Sequence, residues 1–343
     1  MEVNPTPRQM AKGLLKGIVP PRPLFLPIVF SLGAKVENVP LGTFLRSPTK
    51  ISSSLRQMRS HLCSDGVACY FDPYLEVEAL GATLQRISDD QAPTIRWPQP
   101  VRMGEIPEGL RSPEEAAKSG RVPVAVEVIR TMNALPNRDF LLMAGVTGPL
   151  TLAARITQLE HKEELRSEDL SAAAQELAAS VVTQMSTRFL EAGADVIIIQ
   201  EERLPALSAE SCEAWGNLLA SAINVVLFYE ALPVLQFTDA RSFLENWDVI
   251  FQREWDCVLC SPLEVMVPQR RTGTLRANTV TLGIALPLEA FRSGDYDGEH
   301  LRQALQPMIS GLRQAILTTA GDVPATTDMK ILSKVLGEVP RTL

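Results

Sequence analysis

The chain has only three histidines and five cysteines among its 343 residues, and zinc centres are built chiefly from imidazole and thiolate ligands. Few metal sites can therefore be made from it. The cysteine count is odd and shows no framework spacing, which predicts reduced cytosolic thiols rather than disulfides. Positive charge is also in deficit, with 33 Lys and Arg against 40 Asp and Glu and a net charge of −7. No basic face is available to displace counterions from a phosphate backbone, so nucleic acid is excluded as an expected partner. No run of 18 or more apolar residues occurs, and MEVNPTPRQMAKGLLKGIVPPRP at the N-terminus has neither a signal-peptide core nor a small-residue cleavage site. A cytoplasmic protein with no membrane partner is expected. Neither GxGxxG nor GxxxxGK[ST] appears, so no dinucleotide or P-loop fingerprint is present.

What the chain does have is a 45% hydrophobic fraction and a repeating order of short apolar runs and amphipathic stretches. Residues 6–17 read as a helix and PLFLPIVF as a first strand, followed by a helix from Pro48 to Leu62 with Ser47 as N-cap. Strand two, GVACYF, ends in Asp72-Pro73. The polar segment Gly81 to Arg111 has no clear period and is expected as a long loop over a barrel mouth. A helix from Pro113 to Asn133, bent or split by Pro123, precedes the strand Phe140–Ala144. Ser167 to Ala192 reads as one long helix, and ADVIIIQEE, apolar throughout its first part, as a parallel strand buried on both faces. Further strands are expected at Leu232–Phe237, Trp255–Cys260, Thr279–Leu286 and Ala315–Thr319, with helices at Ser208–Leu227, Ala240–Arg253 and Gly298–Arg313. Eight strands in strict alternation with helices predict an α/β chain, one (β/α)8 barrel over residues 1–343, rather than an open dinucleotide-binding sheet.

In such a barrel the site lies at the C-terminal strand ends. Carboxylates stand at four of them: Asp72, Glu201 with Glu202, Asp239 and Asp322. Asp72 is either a site residue or an Asp-Pro turn former. Glu201 and Glu202 are strand neighbours, so at most one looks into the mouth while extended geometry lasts; a solvated rim pair bridged to Arg203 is the other reading. Cys257 and Cys260 form CxxC within a strand, where positions three apart face opposite ways, and read as core thiols. His61, His161 and His300 read as surface residues.

The stretch LLMAGVTGPLTLAARI (Leu141–Ile156) carries GxxGPxTLAA, and its Gly145, Gly148 and Pro149 would let the loop pass close to a bound ligand. Together with DPYLEVEALGA and GRVPVAVEVIRTM, it resembles the uroporphyrinogen decarboxylase superfamily. That superfamily holds the haem-pathway decarboxylase and zinc-dependent corrinoid methyltransferases, both single TIM barrels. The resemblance implies that Asp72 takes the part of the decarboxylase aspartate that sits under the substrate and stabilises a cationic intermediate. Glu202 stands where the decarboxylases have a serine that contacts a substrate carboxylate, and an acid there would repel one. The methyltransferases carry His-x-Cys after strand five and a further Cys after strand eight; here Gln236-Phe237-Thr238 and Gly321 stand at those places. Zinc-thiolate chemistry is therefore not expected. Of the decarboxylase set only Asp72 survives: Lys35 is all that is left at the arginine-rich motif, Arg155 stands at the tyrosine position, and the C-terminal histidine is missing.

The resulting expectation is methyl-group transfer from a small molecule, leaning to the methyltransferase-like branch, with a zinc-free site and a corrinoid (cobalamin) on a partner protein as methyl acceptor. Asp72, Glu201 and Glu202 are the candidate catalytic residues. Gly148, Arg155, Gln236, Thr238, Asp239 and Lys35 are the candidate substrate-binding residues, Arg155 either as an anion anchor or paired with Glu201 or Glu202. The alternatives are decarboxylation of tetrapyrrole acetates, and a barrel that binds a tetrapyrrole or corrinoid without turnover.

Overall fold

The computed structural model describes residues 5–85, 92–263, 282–291 and 314–337. Its strands are β1 (Leu24–Phe25), β2 (Gly66–Tyr70), β3 (Thr83–Gln85), β4 (Thr94–Arg96), β5 (Leu141–Thr147), β6 (Val196–Glu201), β7 (Leu232–Phe237), β8 (Val258–Pro262), β9 (Leu282–Leu286) and β10 (Gln314–Thr319). Eight of them form one sheet in the order β1-β10-β9-β8-β7-β6-β5-β2. All its ladders are parallel. This is the expected barrel, closed except along the seam between β1 and β2. Asp65 bridges that seam: its backbone N–H donates to Phe25 O (2.9 Å), its carboxylate accepts from Phe25 N (2.8 Å), and Arg22 forks onto the same carboxylate. A bidentate guanidinium–carboxylate pair fixes direction as well as distance.

Burial follows the pattern that parallel sheets require. β6 and β7 are buried at every position, and the helical layer covers them with side chains such as Phe189, Trp215 and Val226. The Ala209–Phe228 helix is long and apolar enough to cross a membrane by length and composition; here it packs Cys212, Trp215, Leu219, Ile223 and Val226 inward.

Several elements depart from expectation, each for a local reason. The first strand contributes only Leu24 and Phe25 to a ladder, because Pro27 has no N–H to give. Beyond it, side chains take over: Ile28 N donates to Thr319 Oγ1 (3.0 Å) and Phe30 N to Asp322 Oδ1 (2.7 Å). The segment 81–111, expected as a long loop or excursion without elements of its own, contains the antiparallel β3–β4 ribbon. The Pro113–Asn133 helix, by contrast, splits as expected, into Pro113–Ala116 and Val122–Asn133, with Pro123 in the first turn of the second half. The expected Ser167–Ala192 helix begins later, at Ala172 with Ser171 as its N-cap, after a 3-10 turn at Ser167–Asp169. Residues 240–253 form two short helices rather than one. The Trp255–Cys260 strand sits further along, at Val258–Pro262. Residues 279–281, the helix expected at 298–313, and His300 lie outside the described residues.

Candidate active site

A cavity of about 770 Å³ opens at the C-terminal ends of β1, β2, β9 and β10. Asp72 and Asp322 line it together with Ser31, Phe71, Tyr74 and Phe291. Ala92 and Pro93, from the β3–β4 segment, also line it.

Asp72 is buried, and its surroundings fix it. Oδ1 accepts from Tyr74 N (3.0 Å), and Oδ2 pairs with the buried guanidinium of Arg121. Arg121 also binds Glu78 through Nε and donates to Tyr70 Oη (3.3 Å). Burial alone would lower the Arg121 pKa, but Asp72, Tyr70 and Glu78 raise it beyond its ordinary value. A charge pair of this kind keeps its geometry because removing either partner would strand the other charge.

Asp322 faces the same cavity in a different environment. Its oxygens accept from Phe30 N (2.7 Å) and Ser31 N (2.9 Å). Burial pushes its carboxyl up to about 7, the Ser31 and backbone hydrogen bonds pull it down, and the Asp72 charge adds to the rise. The cavity thus holds one carboxylate paired with arginine and one carboxyl that gives up its proton near neutrality. Environments that separate two acids in this way allow one to donate a proton while the other stays charged.

The other expected residues collect in a different sector. Glu201 does not line the cavity. It is buried beneath the Pro149–Ile156 helix, where its carboxylate accepts from Leu150 N (3.1 Å), Thr151 N (2.8 Å), Thr151 Oγ1 (2.6 Å) and Trp215 Nε1 (3.1 Å). Burial raises its pKa against those bonds. It satisfies the first N–H groups of a helix whose own N-cap, Gly148, has no side chain to do so. Gly148 is required for this approach: a Cβ there would stand 2.3 Å from Glu201 Cδ.

Arg155 is buried and pairs with the half-exposed Glu202. It also donates to Pro73 O and Thr147 Oγ1 (3.3 Å), and its guanidinium lies 4.7 Å over the Tyr74 ring. Desolvation opposes its charge while Glu202 favours it, with a net rise in pKa. It braces the cavity wall from behind Tyr74, and of the two readings open in the sequence this geometry is the Glu202 pair. Thr238 Oγ1 donates to Glu202 O (3.2 Å), and Asp239 caps the Ala240–Glu245 helix by accepting from Ser242 N (2.6 Å). Lys35 stands at the rim, donating to the Thr326 and Thr327 carbonyls (3.5 and 3.0 Å). Gln236 is fully buried inside the barrel and donates to Thr319 O.

The residues do not fit a zinc-thiolate centre. Gln236, Phe237, Thr238 and Gly321 supply no soft ligand, and no group of three or more His, Cys, Asp or Glu suited to a metal ion occurs among the described residues. Cys257 and Cys260 are buried, burial pushing the first up to about 12 and raising the second further. His61 binds Ser333 Oγ (2.7 Å) at the surface, and His161 is exposed beside Glu160.

Sequence reading missed Arg121 and did not promote Asp322 from the strand-end acids to the site. Nothing local marks Arg121, which is 49 residues from its partner. Asp322 carried the same signal as Asp72, a carboxylate closing a strand.

Comparison with known proteins agrees with this geometry at the level of the family. A 127-residue segment is 25% identical to the methylcobamide:CoM methyltransferase MtaA of Methanosarcina barkeri, and spans 36% of this chain and 36% of that relative. The fold superposes on a methyltransferase from Methanosarcina mazei with a TM-score of 0.73 at 16% identity, covering 98% of this chain and 99% of the other. The model of the uroporphyrinogen decarboxylase (URO-D) family matches residues 13–223, well over half the chain, and the protein belongs to that family.

Proposed function

We propose that the protein is a methyl-group transferase that demethylates a small molecule, with Asp322 as proton donor and a corrinoid carried by a partner protein as methyl acceptor. One observation carries the reading: Asp72 and Asp322 line a single cavity in unlike electrostatic environments. In the step envisaged, the Asp322 carboxyl gives its proton to the leaving oxygen or nitrogen while the bond from that atom to the methyl carbon breaks. The bonding electron pair goes to the heteroatom, and the methyl group to the reduced corrinoid. Asp72, held by Arg121, stabilises positive charge that develops on the leaving group. The methyltransferase relatives support the class of reaction, and the missing soft ligands favour acid assistance over thiolate chemistry.

Decarboxylation of tetrapyrrole acetates is less well supported. Among the described residues that line the cavity none is basic, whereas Asp72, Asp322 and Asp328 are acidic. Among these described lining residues a polycarboxylate would meet like charge and no arginine fork.

The test is a spectrophotometric screen. The protein is mixed with cob(I)alamin and a panel of methyl ethers and methylamines, and methylcobalamin formation is followed. At least one donor should turn over, and Asp322→Asn should slow it by about 10² to 10⁴-fold, the usual worth of a positioned acid. Release of carbon dioxide from uroporphyrinogen with no methyl transfer, or an Asp322→Asn variant as fast as the parent, would overturn the reading.

A further inference from the structure

The end of β10 is fastened from several sides before it delivers Asp322 to the cavity. Thr319 Oγ1 accepts from Ile28 N (3.0 Å) and donates to Gly321 O (2.7 Å), and Ala320 N donates to Leu286 O (2.7 Å). From across the barrel, Gln236 Nε2 on β7 donates to Thr319 O. Its register neighbour on β6, Gln200, reaches Ala320 O through a longer contact of 3.5 Å. Two consecutive carbonyls of the turn are thus met by two adjacent carboxamides.

Gln236 is unusual in a second respect. It is fully buried, yet its Oε1 finds no hydrogen-bond donor. A buried acceptor without a partner has given up its water and gained no bond in return, so this side chain is a poor choice on grounds of stability. Its Nε2 is the half that is used.

We propose that Gln236 is a positioning residue for Asp322: by holding the Thr319 carbonyl it fixes the turn that presents the Asp322 carboxyl to the cavity. This rests on the reading of Asp322 as the acid of the site, and it explains why an amide occupies the barrel interior at a position where an apolar side chain would pack at lower cost. Without this anchor the turn relaxes toward solvent, and the burial that holds the Asp322 proton is reduced. The charged groups near Asp322 among the described residues are Asp72 with Arg121 behind it, Asp328 on the lining loop, and Lys35, whose ammonium is bound to the Thr326 and Thr327 carbonyls. None of them is touched by a change at Gln236.

The experiment uses Gln236→Met in the full chain. Methionine keeps the length and removes both the donor and the unpartnered acceptor, so losses and gains in stability offset each other. The titration of Asp322 is read from its carboxyl infrared band, assigned by its absence in Asp322→Asn, and the thermal midpoint is measured alongside. The band should titrate at least one pH unit lower in Gln236→Met, a tenfold loss of proton affinity, with the midpoint little changed. Should that variant fail to fold, Gln236→Asn, which keeps the amide but withdraws it by one methylene, is expected to give the same shift. Titration at the parent pH in a folded variant overturns the proposal, whatever happens to the midpoint. Because turnover is not the readout, an Asp322 with no catalytic role would fail the methyl-transfer screen while leaving this result standing.

Discussion

The raised pKa of Asp322 makes a quantitative claim about folding. Its carboxyl moves from an ordinary 3.8 to about 7 on folding, with burial as the main cause. The folded chain therefore keeps a proton that the unfolded chain has already released between those values. Unlike the usual paired carboxylate, this group contributes most to stability below about pH 4 and loses that contribution as pH rises through about 7. At 1.36 kcal/mol per pH unit the full effect is on the order of 4 kcal/mol, of which roughly 2–3 kcal/mol falls between about pH 5 and about pH 8.5. Asp322→Asn has no such proton to lose. It will carry its own cost, because the amide sets an NH2 group against one of the Phe30 and Ser31 N–H donors, but that cost is independent of pH. Urea unfolding of both proteins across this range isolates the effect, since the other carboxylates cancel in the difference. The parent should lose roughly 2–3 kcal/mol relative to the variant on going from the acid to the alkaline end. A difference that stays flat would mean that Asp322 titrates as an ordinary carboxyl, and its assignment as the proton donor would fall with it.

Arg155→Met breaks a buried guanidinium pair and should cost about 2–3 kcal/mol in urea unfolding, less than a fully buried pair would because Glu202 is half-exposed; a raised KM with an unchanged midpoint would instead put Arg155 in substrate binding. Gly148→Ala drives a methyl group into the Glu201 carboxylate and should lower stability by about 1–3 kcal/mol, and an unchanged thermal midpoint would refute the close approach. Of the five cysteines only Cys63 is exposed, so Ellman's reagent should find one fast thiol in the folded protein and five after unfolding. A second fast thiol at Cys257 or Cys260 would show that this pair is accessible to a metal after all.

The fold was legible because its signals are local and repeated. LPVLQF is a buried strand at the residues expected, and the Pro48–Leu62 helix carries its Ser47 cap and leading proline in plain view. Boundaries were lost where one residue changes the hydrogen-bond accounting: Pro27 ends the first ladder, and Ser171 rather than Ser167 caps the long helix. The site was less legible because its electrostatics are non-local. Asp239 looked like a strand-end acid, though an aspartate directly before the helix expected at Ala240 was itself a readable sign of an N-cap. Arg121 could not be found at all, since its pairing with Asp72 depends on how the Val122–Asn133 helix packs against β2.

The segment that announces the family explains why the family came so much more easily than the reaction. Gly148 admits Glu201, Glu201 caps the helix that begins at Pro149, Thr151 donates to the same carboxylate, and Trp215 closes over it. Each partner of this set is satisfied by another, which makes it a packing device joining β5, β6 and the helical layer. A pattern with that task serves the packing of the barrel wall and says nothing about what is bound at the mouth. The chemistry has to be sought where side chains are held but left facing the cavity, and there the chain offers Asp72 on β2's end and Asp322 on β10's. Their difference in environment, rather than the GxxGPxTLAA wording, is what a reaction at this site would use.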